Sequence, residues 1–271
     1  MLIKSVLITL ALVLVPLFER LRPAVTSPLL VTIGQHTRAG WRRLGRNAGL
    51  FALTSLMSLL VVAPVTAFGF GYDLGLRGDQ WRGGAWLMLD VLILDCWIYW
   101  WHRANHELSF LWRFHRVHHL DQILDSSSAL RFHFGEVVLS AFARLPMVVV
   151  FSIPLTHVAI FEALVLCGAI FHHSTLALPK GLERRLSRLI ITPSIHWVHH
   201  HKVRRDTDSN YGTIFSFWDP LFRSRSATTR WREMPIGIEG EGADLPLQQL
   251  LQAPFRQQPE RTPHHNRLDG S

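Results

Sequence analysis

Long apolar runs alternate with short polar segments along the first two thirds of the chain. They cover residues 2–18, 48–70 and 85–101, and the second contains no charged residue. A membrane helix needs about 20 mostly apolar residues, so each run predicts one. The first run looks like a signal peptide, but charged residues and a proline follow it instead of a small-residue cleavage site. We therefore interpret it as an uncleaved membrane helix.

Two further apolar runs, 137–153 and 155–171, lie on either side of Pro154. Each is short for a full crossing, so the pattern leaves open a re-entrant hairpin or two tilted spans. Arg144 precedes the proline by ten residues and Glu162 follows it by eight, which gives them similar depth in a hairpin. Because unpaired charges are costly in a bilayer, we expect these two side chains to form an ion pair.

The whole pattern predicts an all-α integral membrane helical bundle, with about four to five membrane helices and a cytosolic helical cap rich in histidine. We divide the chain into N-terminal membrane helices and loops (1–84), a histidine-box catalytic domain (85–232) and a partly flexible C-terminal tail (233–271). Arginine dominates the charge of loop 19–47, so the positive-inside rule places that loop in the cytoplasm. The third apolar run then returns to the cytoplasmic face at Trp101.

Composition narrows the class of protein. Hydrophobic residues make up 48% of the 271 residues and charged residues only 18%, which excludes a disordered chain and disfavours an ordinary soluble enzyme. Only two cysteines are present, so a disulfide scaffold is excluded. The net charge of +8 suits anionic lipid at least as well as nucleic acid, and no nucleic-acid-binding motif is visible. We expect a membrane protein with no nucleic-acid partner.

The number and spacing of the histidines are the features that point to a chemical function. Of 16 histidines, 13 fall between His102 and His201, mostly in the segments HRANH (102–106), HRVHH (115–119), FHHS (171–174) and HWVHH (196–200). Spacings of three and four place side chains on one helical face, and neutral imidazole is a common ligand of zinc, iron, copper and nickel. The repeated pairs therefore predict a metal site. We interpret the isolated His36 and His157 as packed residues, and His264 and His265 as part of the tail.

The number of imidazoles indicates two ions. One zinc takes about four ligands, and the boxes with His173 offer more than twice that number. Two metals among imidazoles suggest redox iron, although purified protein can carry zinc because imidazole suits both. A ferritin-like di-iron site would need Glu-x-x-His pairs, and the zinc-protease motif HExxH is absent because Arg103 follows His102.

The three boxes, in the order HxxxH, HxxHH and HxxHH, resemble those of the fatty acid hydroxylase / sterol desaturase superfamily of membrane di-iron enzymes. Segments 99–106, 128–136, 171–174 and 208–222 strengthen the resemblance, which covers about residues 85–225. It implies that two irons, O₂ and external electrons hydroxylate or desaturate an unactivated C–H bond of a sterol-like or fatty acyl lipid. The implied metal ligands are His102, His106, His115, His118, His119, His173, His196, His199 and His200. His133 also matches a family histidine and is a tenth candidate, whereas the role of His172 stays open.

Histidine ligands need acceptors behind them to fix their tautomers. The candidates are Asp121, Asp125, Glu136, Asp206, Asp208 and Asn210, of which we favour Glu136, Asp208 and Asn210. Asp95 precedes His102 by seven residues, about 10 Å along a helix, so we expect a structural or pocket-lining role.

The implied partners are a lipid that enters from the bilayer and a ferredoxin- or cytochrome-like electron donor. Sterols, fatty acyl chains, ether lipids, carotenoids and hopanoids all remain open as substrates. Headgroups or the donor could bind Arg103, Arg116, Arg204 and Arg205. Short loops and the absence of eukaryotic sorting motifs favour a bacterial inner membrane, with the active site on the cytoplasmic side.

Two other classes of protein fit part of the pattern. A zinc-dependent membrane hydrolase would use Glu107 or Glu136 as its general base, but it does not explain so many imidazoles. A metal transporter would carry its polar ligands inside the spans, whereas the histidine boxes lie just outside them.

Overall fold

The computed structural model describes residues 2–21, 23–32, 35–72, 74, 77, 84–241 and 245–256. These residues form helices and loops, and the only β pairing among them is isolated bridges. The longer helices are α1 (Leu2–Leu21), α2 (Arg38–Met57), α3 (Ala63–Phe70), α4 (Gly84–Glu107), α5 (Ser109–His119), α6 (Phe134–Val150) and α7 (Leu155–His173). The short helices are α8 (Lys180–Leu186), α9 (Pro193–His199), α10 (Arg204–Thr207), α11 (Trp218–Leu221) and α12 (Leu247–Gln252).

Helices α2 and α3 form one continuous rod through a π-helical segment, Ser58–Val62. Thr37 begins the rod, because its side chain accepts a hydrogen bond from the Gly40 N–H at 3.0 Å. Two of the described helices are long and apolar enough to cross a membrane, namely this rod (38–70) and α7. The all-helical class is therefore confirmed, whereas the count of four to five membrane helices stays a prediction.

The apolar runs around Pro154 form two separate helices, α6 and α7, joined by a short turn. A buried cluster that includes Leu94 of α4, Val148 of α6 and Phe161 of α7 holds these three helices together. Across α6 and α7, Arg144 Nη2 donates to Glu162 Oε1 at 2.8 Å, which confirms the expected ion pair.

Helix α4 continues past the predicted end of its apolar run and carries the first histidine box on its last turns. After Leu108 the chain reverses into α5, which packs against α4 and carries the second box. A 3₁₀ helix, Ser126–Leu130, then contacts both α2 and α7. The first two histidine boxes thus lie at the ends of α4 and α5, whereas the third lies on the short helix α9.

Part of the predicted C-terminal tail is packed. Leu250 of α12 and Ala253 are buried against Leu50 and Val117. Residues 242–244 and 257–271 of the predicted tail, which include His264 and His265, lie outside the described residues. His157, interpreted as a packed histidine, places its Nδ1 2.6 Å from Asp90 Oδ2.

Candidate metal centre

Nine histidines gather into two adjacent groups. Within each group, the nitrogen atoms that could bind a metal all lie within 4.8 Å of one another. The first group comprises His102, His106, His115, His119 and His199. The second group comprises His118, His173, His196 and His200. These nine are the ligands that the family resemblance implies.

Each HxxHH box contributes to both groups. On α5, His115 and His119 are four residues apart and enter the first group, whereas His118 enters the second. The box on α9 does the same, since His199 enters the first group and His196 enters the second. The groups meet where the rings of His119 and His200 stack, with their centroids 4.2 Å apart. Because each box supplies histidines to both groups, bringing α5 and α9 together forms two neighbouring sites at once.

The spacing of nitrogen atoms suits ligands that share an ion. In the first group, His115 Nε2 lies 3.2 Å from the Nε2 atoms of both His102 and His119. In the second group, His173 Nε2 lies 3.0 Å from His118 Nε2 and 2.9 Å from His196 Nε2. Two nitrogens bound to one ion at about 2.1 Å lie about 3.0 to 3.4 Å apart, so both groups match that separation.

Backbone carbonyls fix the tautomers of four site histidines. His102 Nδ1 donates to Tyr211 O at 2.8 Å, and His118 Nδ1 donates to Arg131 O at 3.2 Å. The other two donors are His173 Nδ1, to Ala169 O at 2.7 Å, and His199 Nδ1, to Ser209 O at 2.6 Å. A carbonyl can only accept, so each Nδ1 carries the proton and each Nε2 presents its lone pair to the group.

Two carboxylates lie behind the first group. Glu136 Oε1 is 2.9 Å from His115 Nδ1, and Asp208 Oδ1 is 3.4 Å from His106 Nδ1. Asn210, the third favoured acceptor, instead donates to Ile195 O and accepts from the Ser226 N–H. It shapes the loop beside the site without contacting a site histidine.

Burial makes these imidazoles suitable as neutral ligands. It holds the pKa of His118, His119, His196, His199 and His200 well below the usual histidine value, and the neighbouring imidazoles lower it further. Neutral imidazole is the form that binds a metal. A specific atom supports the same conclusion, because His199 Nε2 is buried in the first group with no hydrogen-bond partner among the described residues. The donor set therefore fits iron, which accepts imidazole ligands.

Several candidate residues lie outside the two groups. His133 begins α6, where its Nδ1 accepts from the Gly135 N–H at 3.0 Å and its Nε2 donates to Leu251 O at 3.2 Å. Both of its ring nitrogens are thus engaged in holding the chain. His172 is buried beside the second group, with its ring centroid 4.0 Å from that of His196.

The remaining candidate carboxylates hold other parts of the chain. Asp121 and Asp125 both accept from the buried Arg43, and Asp206 accepts from Ser226 and Thr228. Asp95 accepts from two backbone N–H groups and from Trp218 Nε1, which is the structural role expected of it.

The basic residues proposed for headgroups or a donor are mostly paired with carboxylates. Arg103 bonds Glu107 at 2.7 Å, and Arg204 bonds Asp208 at 2.9 Å. Arg116 is buried and paired with Glu241, so the structure does not present it to a partner.

A family model described as fatty acid hydroxylase matches residues 87–224, which include all nine histidines of the two groups. The chain belongs to the fatty acid hydroxylase family. The superfamily resemblance predicted from the boxes is thereby confirmed.

Curated relatives carry lipid-modifying names. An ornithine lipid hydroxylase, OlsE, from Rhizobium tropici is 30% identical over 72% of this chain and 58% of its own length. An alkylglycerol monooxygenase from Danio rerio is 33% identical over 49% of this chain and 29% of its own. The chain thus matches less than two thirds of the length of either relative. No solved structure is significantly similar to this chain.

Proposed function

We propose that this protein is a membrane-bound oxygenase that hydroxylates an unactivated C–H bond of a lipid, with two iron ions held by the two histidine groups. The observation that carries the proposal is the pair of adjacent, buried imidazole groups within a chain of the fatty acid hydroxylase family. Hydroxylation is preferred to desaturation because the relatives are named hydroxylases and monooxygenases.

When bound, iron would supply the redox chemistry that couples O₂ reduction to C–H oxidation. In the overall reaction, one oxygen atom enters the C–H bond as a hydroxyl and the other leaves as water. This balance requires two electrons and two protons, which we assign to a ferredoxin- or cytochrome-like donor protein.

The residues of the chain would hold and shield the centre. Backbone carbonyls orient the Nε2 atoms of four site histidines, and Glu136 orients His115. The rings of Trp112 and Tyr211 lie 5.1 and 5.3 Å from that of His106 and pack against histidines of the first group. Such aromatic packing limits the entry of water beside a reactive site.

The substrate would be an amphipathic lipid that reaches the centre from the bilayer. This assignment rests on the two candidate membrane helices and on the lipids named in the relatives' descriptions. The boxes lie at one end of α4 and α7, so the reactive carbon would be drawn from the leaflet at that end. By the arginine distribution, we propose the cytoplasmic leaflet of a bacterial inner membrane.

The zinc hydrolase is the weaker alternative. A hydrolase needs a carboxylate that is free to act as a general base. Glu136 is bonded to His115 and Glu107 is bonded to Arg103, so both candidate bases are engaged. No relative reported above is named as a hydrolase.

Isotope labelling tests the proposed reaction. Iron-loaded protein in nanodiscs would receive a bacterial lipid extract, a reduced ferredoxin system and ¹⁸O₂, followed by lipid mass spectrometry. We expect a lipid that has gained one ¹⁸O atom, and no such product from the His199→Ala variant. A lipid cleaved with ¹⁸O from labelled water, with no incorporation from ¹⁸O₂, would contradict the proposal and favour the hydrolase.

A further inference from the structure

The segment 180–189, made of α8 and the turn after it, stands apart from the rest of the histidine domain. None of its residues is buried, although both of its flanks are fixed. Before it, Ala24 N–H donates to Thr175 O at 3.1 Å, and after it, Ile191 N–H donates to Ile214 O at 2.9 Å. The segment is therefore held in a fixed place while most of its side chains are exposed.

Its apolar side chains share one face. Leu182, Leu186 and Leu189 recur at spacings of four and three, which places them together along a helical surface. Leu182 is 45% exposed and Leu189 is 62% exposed. A helix of seven residues is marginal in water without packing. Leu186 is half-buried, whereas Leu182 and Leu189 stay exposed in the structure, so an external partner would cover and stabilise this face.

Its basic side chains occupy the other face. Lys180, Arg184 and Arg188 fall opposite the leucines, Arg185 flanks them, and all four are exposed. The only acidic residue of the segment, Glu183, accepts a hydrogen bond from Thr192 and so points back toward the domain. The outward surface thus combines positive charge with exposed leucine.

The position of the segment identifies the partner. Helix α7, which is long and apolar enough to cross a membrane, ends at His173, and α8 begins seven residues later. Short basic amphipathic helices lie in the membrane interface, with leucine at the acyl boundary and Lys or Arg on anionic headgroups. An acidic protein would match the charges but would leave the leucine face exposed.

We propose that segment 180–189 is an interfacial anchor that inserts its leucines into the leaflet nearest the metal centre and binds anionic lipid headgroups through its basic face. The anchor fixes the depth of α9 and its histidines relative to that leaflet, because residues 190–192 lead directly from one to the other. The proposal is independent of the metal's identity and of the reaction.

A fluorescence experiment tests insertion. Cys96 and Cys167 would be replaced by alanine, and a single cysteine would be placed at Leu189 or at the control position Leu108 and labelled with NBD. Leu108 is 55% exposed and follows the histidine-bearing end of α4, so it is comparable to Leu189 in exposure but directly follows the acidic Glu107. Both proteins would be studied in phosphatidylcholine nanodiscs that contain phosphatidylglycerol, after equal metal content has established that both are folded.

At Leu189 we expect several-fold weaker quenching by iodide and several-fold stronger quenching by nitroxide lipid than at Leu108. Equal quenching at the two positions would overturn the anchor. The quadruple variant with Lys180, Arg184, Arg185 and Arg188 replaced by glutamine should raise iodide quenching at Leu189. Unchanged quenching would overturn the role of anionic lipid. If iodide quenching at Leu189 falls only after an acidic ferredoxin is added, the surface binds a protein partner instead of lipid.

Discussion

The site histidines are oriented by acceptors on other segments of the chain. Tyr211 O and Ser209 O, both in one loop, fix His102 and His199. That loop is held in turn by Asp219, whose carboxylate accepts from the backbone N–H groups of Tyr211 at 2.7 Å and Gly212 at 3.0 Å. Asp219 is almost fully buried. The orientation of the first group therefore depends on a carboxylate that touches no site histidine.

We expect Asp219→Ala to weaken metal binding in the first group by about 10 to 100-fold, the usual cost of losing support behind a ligand. Metal titration followed by mass spectrometry of the native protein would measure the affinity of each site. Asp90→Ala is the matched control, because Asp90 is also buried but contacts Arg77 and His157 at a distance from both groups. Equal losses in the two variants would show that Asp219 has only a general structural role.

The hydrogen bond between Glu136 and His115 can be tested by two substitutions of Glu136. Glu136→Gln keeps an oxygen that can accept from His115 Nδ1, whereas Glu136→Ala leaves that nitrogen without an acceptor. We expect the glutamine variant to retain most of its iron, and the alanine variant to lose iron about 10-fold more readily from the first group. Chelator-release kinetics would compare them. Identical release from both variants would argue against a role for this hydrogen bond.

Between elements, buried charges join α2, part of a candidate membrane span, to the segment that follows the second histidine box. Arg43 of α2 donates to Asp121 at 2.7 Å and to Asp125 at 2.9 Å, and all three groups are buried. These aspartates follow α5 directly and lead into the 3₁₀ helix that contacts α7. The rod formed by α2 and α3 thus holds the end of the second histidine box in place.

Replacing Arg43 with methionine should destabilise the fold by about 3 to 5 kcal/mol, because it leaves buried carboxylates unpaired. Arg42→Met is the matched control, since Arg42 lies on the exposed side of the same turn. Thermal unfolding in detergent would measure both variants. If they unfold at the same temperature, the buried network does not stabilise the junction.

The ion pair between Arg144 and Glu162 should stabilise the contact between helices α6 and α7. Either Arg144→Glu or Glu162→Arg should lower the melting temperature, because each places two like charges in contact within an apolar region. The double exchange restores opposite charges and should recover most of the loss. A double variant that is no more stable than the two single variants would contradict a direct contribution of the pair.

Sequence patterns predicted these elements unevenly, for physical reasons. The spacing of each box indicates which imidazoles share a helical face, and the family resemblance predicted the nine histidines that come together. It did not predict that His118 separates from its neighbours His115 and His119, because that division depends on how α5 packs against α7 and α9. Every residue type has a backbone carbonyl, so the sequence does not reveal that acceptors such as Arg131 O orient the site histidines. His133 has the sequence surroundings of a ligand, but it caps α6.

At the scale of the whole molecule, two candidate membrane helices and a histidine domain form one continuous structure. The rod of α2 and α3 reaches the domain through Arg43, and α7 carries His173 into the second group at its last residue. Lipid, metal and membrane would therefore meet at one end of the bundle. This arrangement suits an enzyme whose substrate is already dissolved in the bilayer.

If the two histidine groups hold two irons, the purified protein should contain both ions, and its metal content can be measured directly. Protein from cells grown with ⁵⁷Fe would be purified in mild detergent, and iron per chain would be measured together with the Mössbauer spectrum. We expect two irons per chain in a spectrum typical of a coupled pair, and one iron after either His102→Ala or His173→Ala. One tightly held zinc, with no iron taken up under any condition, would contradict this expectation.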